Sequence, residues 1–532
     1  MSGQPFPTVV SLTRKSGAAL RACTSPFQFG TTAIIGVTPR GEARTALPPR
    51  SSLALYRWGL PAILFLGFCL RLVLIATPRA YQADEVFQYL EQAHRLVFGY
   101  GVIPWEYRFG IRSWLFPIAL TGPMALGGWI APASGAYLFL PKLSLVLLSL
   151  TAIGAAASLG RRISPAHGLM AALVVAGWSE FAYFATQALT DAVAVPLFLT
   201  AAALLYGRDT AGRLSLSGAL VALAVLVRFQ YAPAIGLFVV LTCRVDARRW
   251  AWGLLGAAIV LAISAAVDRL MGQTPFAWII ENYRQNIVNQ RSHLWVDGPA
   301  YYFLKLVSTW KVWLVPIIIL ACVGARRYPA LMIMAIANIA MHTTIAHKEY
   351  RYILLSTAVI VILAAIGTVD AVRAGQRKWP RIPFLSIAAL CWISASILTT
   401  RPHFVAYNWS LATPNLEAFS RLRREDNICG VAVRGVWWSH TGGYAYLHRP
   451  IPLYYPDLVP SSSPVIAASQ AAYNAIVAPP NARFSGYQKQ ECFGVDARFS
   501  DQAVCIFHRA GGCDASKARD FTANRALLGS NR

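Results

Sequence analysis

Apolar runs separated by short polar segments dominate the chain from residue 60 onward. Because a helix needs roughly 20 apolar residues to cross a bilayer, the pattern predicts about eleven transmembrane helices. The predicted spans are residues 60–76, 136–159, 168–187, 189–206, 215–229, 231–243, 250–267, 309–325, 328–345, 352–372 and 383–399. A further apolar run at 112–131 is interrupted by several prolines and glycines.

Basic clusters between the runs indicate which loops face the cytoplasm. The five strongest lie at residues 161–162, 208–213, 244–249, 326–327 and 373–381. The positive-inside rule places them and the N-terminus in the cytoplasm. Successive loops then alternate between the two sides of the membrane only if the run at 112–131 makes no full crossing, and instead dips into the membrane or lies flat on it. On the opposite side we expect residues 77–135, 268–308, 346–351 and everything after residue 400.

Composition agrees with many membrane spans. Of the 532 residues, 56% are hydrophobic and 13% are charged, whereas a soluble chain carries about 25% charged residues. The formal net charge is +25, from 48 Lys and Arg against 23 Asp and Glu. Cytoplasmic loop anchoring accounts for this excess, and no basic block with interleaved aromatics suggests a nucleic-acid partner.

Three regions follow from these patterns. Residues 1–55 are rich in Ser, Thr, Pro, Gly and Arg, which predicts a disordered basic cytoplasmic leader. Residues 56–400 form the membrane-embedded domain, and residues 401–532 are expected to form a small, mixed α/β extracytoplasmic domain. Four cysteines in this tail allow one or two disulfides, and the three possible pairings stay open: Cys429, Cys492, Cys505 and Cys513.

Two adjacent acids, Asp84 and Glu85, follow the first predicted span. Acids beside hydrocarbon are costly, so the pair is a candidate functional site. One of the two acids can act as a general base while the other caps the helix or pairs with a cation; the alternative is that Asp84 only caps a helix. Residues 84–98 have helical spacing, with Glu91 and Arg95 as an i,i+4 pair, which predicts an amphipathic helix on the membrane surface.

A second charged cluster lies between two apolar runs at residues 347–351. Lys348 and Arg351 can neutralise a phosphate, and His347 can donate a hydrogen bond to it. The alternative is a polar turn that ties two helices together. Arg228 lies at a helix end predicted on the same side of the membrane, so the same argument makes it a candidate substrate-binding residue. Arg112 and, likewise, Lys142 are weaker candidates. Arg71 lies near the end of the first span, where it can snorkel to the interface or pair with an acid.

The sequence lacks the Gly-rich and P-loop motifs of nucleotide-sugar domains, so a sugar donor used outside the cytoplasm would be lipid-linked. The order of several motifs resembles the lipid-phosphate-mannose-dependent α-mannosyltransferases of glycosyltransferase family 22, most of all the members that add the third mannose of the GPI anchor. These motifs are Asp84-Glu85, residues 91–101, Trp105-Glu106-Tyr107, Ile111-Arg112-Ser113, Pro117 and His347-Lys348-Glu349 with Arg351.

The resemblance implies the GT-C membrane fold and an inverting transfer of mannose from polyprenyl- or dolichyl-phosphate mannose to a glycolipid or glycan acceptor. In that scheme Asp84 is the base, Glu85 orients or pairs, and Lys348, His347 and Arg351 hold the departing phosphate without a metal or other cofactor. The chain departs from the family at Ala83, where a proline is usual, and at Tyr350 and Tyr352, so the acceptor is left open.

The Ala- and Arg-rich composition resembles a bacterial chain, which implies an inner-membrane protein with its site facing the periplasm, or the lumen of the endoplasmic reticulum in a eukaryote. One competing hypothesis is a transporter or flippase of a lipid-linked sugar, in which Asp84→Ala would leave substrate movement intact. Another is an inactive scaffold, which intact Asp84 and Lys348 disfavour.

Overall fold

Helices form most of the protein between residues 50 and 422. The computed structural model describes residues 50–132, 134–294, 296–495 and 500–529. The predicted leader lies outside the described residues, except for residues 50–55, which belong to the first helix. The first nine helices are α1 Arg50–Ala76, α2 Glu91–Phe98, α3 Trp105–Arg108, α4 Leu115–Ile130, α5 Ala136–Arg161, α6 Pro165–Gly177, α7 Ser179–Phe184, α8 Thr190–Leu205 and α9 Ala211–Val227.

The helical region continues to the end of the membrane domain and into the tail. Its remaining helices are α10 Ala232–Cys243, α11 Ala247–Leu270, α12 Ala277–Tyr283, α13 Tyr301–Trp310, α14 Leu314–Ala325, α15 Pro329–Thr344, α16 Leu354–Lys378, α17 Phe384–Thr399, α18 His403–Ser410 and α19 Thr413–Leu422. A π-helix, Glu85–Leu90, runs directly into α2.

Five stretches in the described chain are long and apolar enough to cross a membrane: Tyr56–Ala76, Ala136–Arg161, Ala247–Leu270, Tyr301–Ala325 and Tyr350–Lys378. The predicted spans at 215–229 and 231–243 form a broken pair, Ala211–Val227 and Phe229–Cys243, bent by 120°. Five shorter apolar helices, including α4, accompany them. The chain is therefore a multi-pass membrane protein, and both the number of crossings and the dip at 112–131 stay predictions.

Helix α16 lies at the centre of the bundle, with every residue from Leu354 to Val369 buried. It packs closely on α14 because each helix presents a glycine to the other. A Cβ atom on Gly324 would lie 2.0 Å from the Leu363 carbonyl oxygen, and one on Gly367 would lie 2.0 Å from that of Leu320. Such small-residue contacts are typical of helix pairs in membranes. The N-terminal end of α16 thereby holds residues 347–351 in a fixed place.

The tail contains the expected mixed α/β domain. Its elements are β1 Val431–Val433, α20 Gly443–Leu447, β2 Leu453–Tyr454, α21 Ser463–Ser469, β3 Ala475–Ala478, β4 Gln488–Phe493, β5 Val504–His508 and α22 Ala523–Gly529. The strands form one sheet in the order β2-β1-β3-β5-β4, with β1 parallel to β2 and β3, and β5 antiparallel to β3 and β4. Of the three possible cysteine pairings, the structure has Cys429–Cys513 with Cys492–Cys505.

Candidate active site

Asp84 immediately precedes the π-helix, and its carboxylate points into a cluster of charged side chains. Its Oδ2 accepts a hydrogen bond from Arg351 Nη2 at 2.5 Å, and its Oδ1 accepts one from Gln88 Nε2 at 2.7 Å. The side chain makes no helix-capping hydrogen bond, so the capping alternative is wrong. The two hydrogen bonds hold the carboxylate in place. Because 20% of the side chain stays exposed, a substrate can still reach it.

Arg351 is the centre of the cluster. Besides Asp84, its guanidinium donates to Glu349 Oε2 from Nε at 2.7 Å and to Asp191 Oδ2 from Nη1 at 3.3 Å. The side chain is 2% exposed. One buried cation therefore binds three carboxylates and brings the second charged cluster into contact with Asp84.

Asp191 was not among the predicted site residues. It is fully buried in the first turn of α8, and Arg228 Nε lies 2.9 Å from its Oδ1. Tyr231 also donates to it, at 3.2 Å. The available signal was an acid inside an apolar run, which is expensive in a membrane and therefore functional by default. Asp191 joins Arg228 to Arg351.

Glu106 is a second residue that sequence reasoning missed. Gln88 Nε2 bridges the two acids, because it donates to Glu106 Oε1 at 2.6 Å as well as to Asp84. Burial, and next the charge of Asp84, raise the pKa of Glu106 to about 7. The carboxyl therefore changes charge near neutral pH, one side chain away from Asp84. Its motif was noted in the family resemblance, but no role was assigned to it.

Arg112 and Arg228 have guanidinium groups that the protein does not fully use. Among the described residues none accepts a hydrogen bond from Arg112, although the charges of Asp84 and Glu106 act on it. Arg228 pairs with Asp191 through Nε and lies over the ring of Tyr352 at 4.6 Å, and Asp191 is the one carboxylate that pairs with it in the described chain. Both groups are suited to bind an anion.

Lys348 and His347 are engaged differently. Lys348 Nζ donates to the carbonyl oxygens of Asp297 at 2.8 Å, Ile345 at 2.6 Å and Ala346 at 3.4 Å. His347 Nε2 lies 3.0 Å from Glu349 Oε1. Burial raises the pKa of Glu349, but Arg351 and the His347 hydrogen bond outweigh burial and lower that pKa well below its ordinary value. The structure thus brings Asp84, Arg351 and Glu349 together, while the Lys348 ammonium binds backbone.

Glu85 faces away from Asp84. It is fully buried and lies 2.9 Å from Lys142 Nζ, one of the weaker sequence candidates. Burial raises the pKa of Glu85, and Lys142 opposes that rise. The two neighbouring acids therefore have separate partners, which agrees with the expectation that Glu85 pairs with a cation.

The prediction that the helix at 84–98 lies on the membrane surface is wrong. Residues 85–94 are all buried, and Glu91 pairs with backbone instead of Arg95. Its carboxylate accepts from the backbone N–H groups of Val102 at 2.7 Å, Tyr444 at 3.1 Å and Ala445 at 2.6 Å. The tail covers this face, so the polar residues there bind protein and not water or lipid head groups.

Arg71 also differs from its prediction. It neither snorkels nor pairs with an acid, because its guanidinium is buried and donates to the carbonyl oxygens of Ala176 at 2.9 Å and Val175 at 3.1 Å. These carbonyls end α6, where the helix supplies no intrahelical donors. Arg71 therefore caps the break between α6 and α7.

Just beyond the break, Glu180 accepts a hydrogen bond from the Tyr350 hydroxyl, which fixes the residue before Arg351.

Comparisons with known proteins agree with this geometry. GPI mannosyltransferase 3 of Yarrowia lipolytica is 27% identical over 318 residues, which cover 57% of this chain and 61% of the relative, so the match spans less than two thirds of that protein. The Trypanosoma brucei brucei protein of the same name is 46% identical over 65 residues, or 12% of either chain.

A solved structure shares the fold. The crystal structure of ArnT from Cupriavidus metallidurans bound to undecaprenyl phosphate has a TM-score of 0.57 and 12% identity, and covers 88% of this chain and 99% of ArnT. This likeness confirms the predicted GT-C fold. The model of the Alg9-like mannosyltransferase family matches residues 62–448, which include every predicted site residue and most of the membrane domain. The chain therefore belongs to the Alg9-like mannosyltransferase family.

Proposed function

We propose that the protein is an inverting α-mannosyltransferase that moves mannose from polyprenyl- or dolichyl-phosphate mannose to a glycolipid or lipid-linked glycan. The observation that carries this proposal is the Asp84 carboxylate, which Arg351 and Gln88 hold while part of it stays exposed. Family membership supports mannose as the sugar. ArnT bound to undecaprenyl phosphate, a protein of the same fold, supports a lipid-phosphate donor.

In the proposed reaction Asp84 removes the proton from an acceptor hydroxyl while that oxygen attacks C1 of the mannose. The bond between C1 and the phosphate oxygen breaks as the new bond forms, so the β-linked donor gives an α-linked product. The lipid phosphate leaves with the electron pair, and the proton stays on Asp84 until solvent accepts it. Arg351 serves this step by fixing the orientation of the carboxylate.

The leaving phosphate needs positive charge close to Asp84. Arg112 and Arg228 are the proposed phosphate ligands, because among the described residues Arg112 Nε has no hydrogen-bond partner and Arg228 pairs with one carboxylate, Asp191. Arg351 is engaged by three carboxylates. Lys348 and His347 stay candidate substrate ligands by family resemblance, but Lys348 would first have to leave three carbonyls. The proposal includes no metal or other cofactor.

The site is proposed to face the extracytoplasmic side, which is the periplasm in a bacterium and the lumen of the endoplasmic reticulum in a eukaryote. Segments predicted on one side of the membrane do meet: Asp84 contacts Arg351, Lys348 contacts Asp297, and Glu91 contacts Ala445. Two disulfides in the tail support an oxidising compartment for these segments.

The test uses purified protein in detergent with polyprenyl-phosphate mannose and a panel of mannosylated acceptors. We expect α-linked product from the natural chain and a loss of about 10²–10⁴-fold in rate for Asp84→Asn. The matched control is Asp426→Asn, at an exposed position in the tail, with unchanged rate. Equal transfer by Asp84→Asn, or no transfer to any acceptor by folded protein, would overturn the proposal. Movement of the donor across vesicles without transfer would favour the transporter.

A further inference from the structure

A cleft opens where the membrane domain meets the tail, away from the Asp84 cluster. Its walls come from the end of α1, the start of α5, and α19 with the residues that follow it, and its volume is about 510 Å³. The candidate membrane spans within α1 and α5 end and begin here, at Ala76 and Ala136. The cleft therefore lies at the boundary between hydrocarbon and water.

The two walls differ in chemistry. One wall carries Ile75, Leu138 and Phe139 from the spanning helices, and the Phe139 side chain is 42% exposed. The other wall carries Arg421, Arg423 and Arg424 from the tail. A basic wall beside an apolar wall suits a ligand with an anionic group attached to hydrocarbon.

The arginines are not equally neutralised by the protein. Arg421 pairs with Glu425 at 3.1 Å and with Glu491 at 2.9 Å. Arg423 donates to the Tyr137 hydroxyl at 3.3 Å, while its Nε is buried without a hydrogen-bond partner. Arg424 is exposed and has no ion pair in the described chain. Glu417 also lines the cleft and offsets part of this charge, but Arg423 and Arg424 have no carboxylate partner within salt-bridge distance in the described chain and can bind an anion.

Lys142 connects the cleft to the catalytic loop. Its side chain lines the cleft, and its ammonium lies 2.9 Å from Glu85 Oε1. Glu85 is the residue after Asp84. The cleft therefore shares one lining residue, Lys142, with the ion pair beside Asp84.

We propose that this cleft binds the phosphate-bearing head group of an anionic membrane lipid, with its acyl chains along α1 and α5. Arg423 and Arg424 would bind the phosphate, and Ile75, Leu138 and Phe139 would contact the chains. A soluble phosphate would leave the apolar wall without a partner, and a zwitterionic lipid would leave the positive charge unbalanced. This binding does not depend on the proposed mannosyl transfer.

The test is photolabelling of the full-length protein in detergent with phosphatidylglycerol that carries a diazirine in one acyl chain. We expect adducts in peptides that contain residues 75–78 or 138–142. Arg424→Glu should lower labelling about tenfold, as expected for one charge-assisted hydrogen bond. The matched control is Arg483→Glu, at an exposed position outside the cleft, with labelling unchanged. Thermal unfolding verifies that each variant is folded.

Phe139→Ser provides a second variant that leaves the arginines intact, and it should also reduce labelling. Unlabelled phosphatidylglycerol should compete, whereas phosphatidylcholine and inorganic phosphate should not. Equal labelling of Arg424→Glu and natural protein would overturn the proposal. Equal competition by phosphatidylcholine would indicate a non-selective lipid contact, and competition by inorganic phosphate would indicate a site for a free anion; either result also overturns it.

Discussion

The segment from Asp84 to Glu91 holds the acids at its two ends with different partners. At its start, Asp84 and Glu85 are held by the side-chain cations Arg351 and Lys142. Two turns later, Glu91 is held by three backbone N–H groups, two of them from the tail. Cations compensate a full negative charge, whereas amides supply only partial charges. Burial raises the pKa of Glu91 to about 7 despite its hydrogen bonds, and it also raises the pKa of Glu85 against the opposing charge of Lys142.

The difference separates two roles within one helix. At the cation-bound end the Asp84 carboxylate is held in place while 20% of its side chain stays exposed, and a general base must be within reach of the acceptor hydroxyl. The amide-bound end joins the membrane domain to the tail, with Phe87 packed against Trp438 at 5.1 Å and His94 Nε2 2.9 Å from His448 Nδ1. The tail therefore positions Asp84 without contacting it.

The largest effect is expected from Arg351→Ala. This change leaves Asp84, Glu349 and Asp191 without their shared cation, and removal of one partner of a buried ion pair costs about 3–5 kcal/mol. We expect a large fall in the thermal unfolding midpoint and no measurable transfer. Arg351→Lys should recover part of the stability and little activity, because an ammonium lacks the guanidinium geometry. An Arg525→Ala control removes an exposed ion pair and should change neither property.

Glu91→Ala tests the amide-bound end. The change leaves three N–H groups without their acceptor, at about 1–3 kcal/mol for each one that stays buried and unsatisfied. We expect kcat to fall while the donor KM stays within about twofold, because the phosphate ligands do not move. Gly443→Ala should act in the same direction, since its φ is +54° and a Cβ would lie 2.7 Å from Glu91 Oε2. A donor KM that rises as much as kcat falls would contradict a positioning role.

Arg112 and Lys348 provide the next comparison, because both were predicted to bind phosphate but only Arg112 has unused donors. Arg112→Met should raise the donor KM or lower kcat/KM by about 10- to 100-fold, with an unfolding midpoint near that of the natural protein. Lys348→Met should chiefly lower the unfolding midpoint, because three carbonyls lose their donor. If Lys348→Met instead raises the donor KM and Arg112→Met chiefly lowers the unfolding midpoint, Lys348 and not Arg112 binds the phosphate.

The parts of this site that depend on local pattern could be predicted. Asp84 and Arg351 were identified because each is a charged residue beside an apolar run. Asp191 was not predicted, because it lies inside the apolar run at 189–206, which was assigned as a membrane span. The two cations at 348 and 351 look equivalent in sequence, and only the carbonyl of Asp297, from a distant loop, distinguishes them.

The location of the 84–98 helix could not be predicted from its periodicity. The pattern indicated a polar face, but the groups that cover it are backbone N–H groups more than 350 residues away, and these leave no side-chain signal. The same holds for Arg71, whose partners are the carbonyls at the end of α6. The GT-C fold and the mixed tail domain were predictable because hydropathy and family motifs depend on side chains alone.

The smallest effect concerns Glu106, the acid at the cation-bound end whose raised pKa resembles that of Glu91. Because its pKa is about 7, Glu106 is largely protonated at pH 6 and ionised at pH 8. Ionised Glu106 offsets the charge of Arg112, so the donor KM should rise a few-fold across this interval, and Glu106→Gln should remove the rise. The raised pKa also affects stability, because the folded protein binds the Glu106 proton more tightly than the unfolded chain does. Folding therefore becomes less favourable as the pH rises from the pKa of Glu106 in the unfolded chain, 4.5, through its pKa in the folded protein, about 7. Glu106→Gln should unfold at a higher temperature than the natural protein at pH 8 but not at pH 5. Glu91→Gln should leave the slope of donor KM with pH intact, since Glu91 does not contact Arg112. If both variants flatten that slope, the two ends of the helix are not electrostatically independent, and the division of roles between them fails.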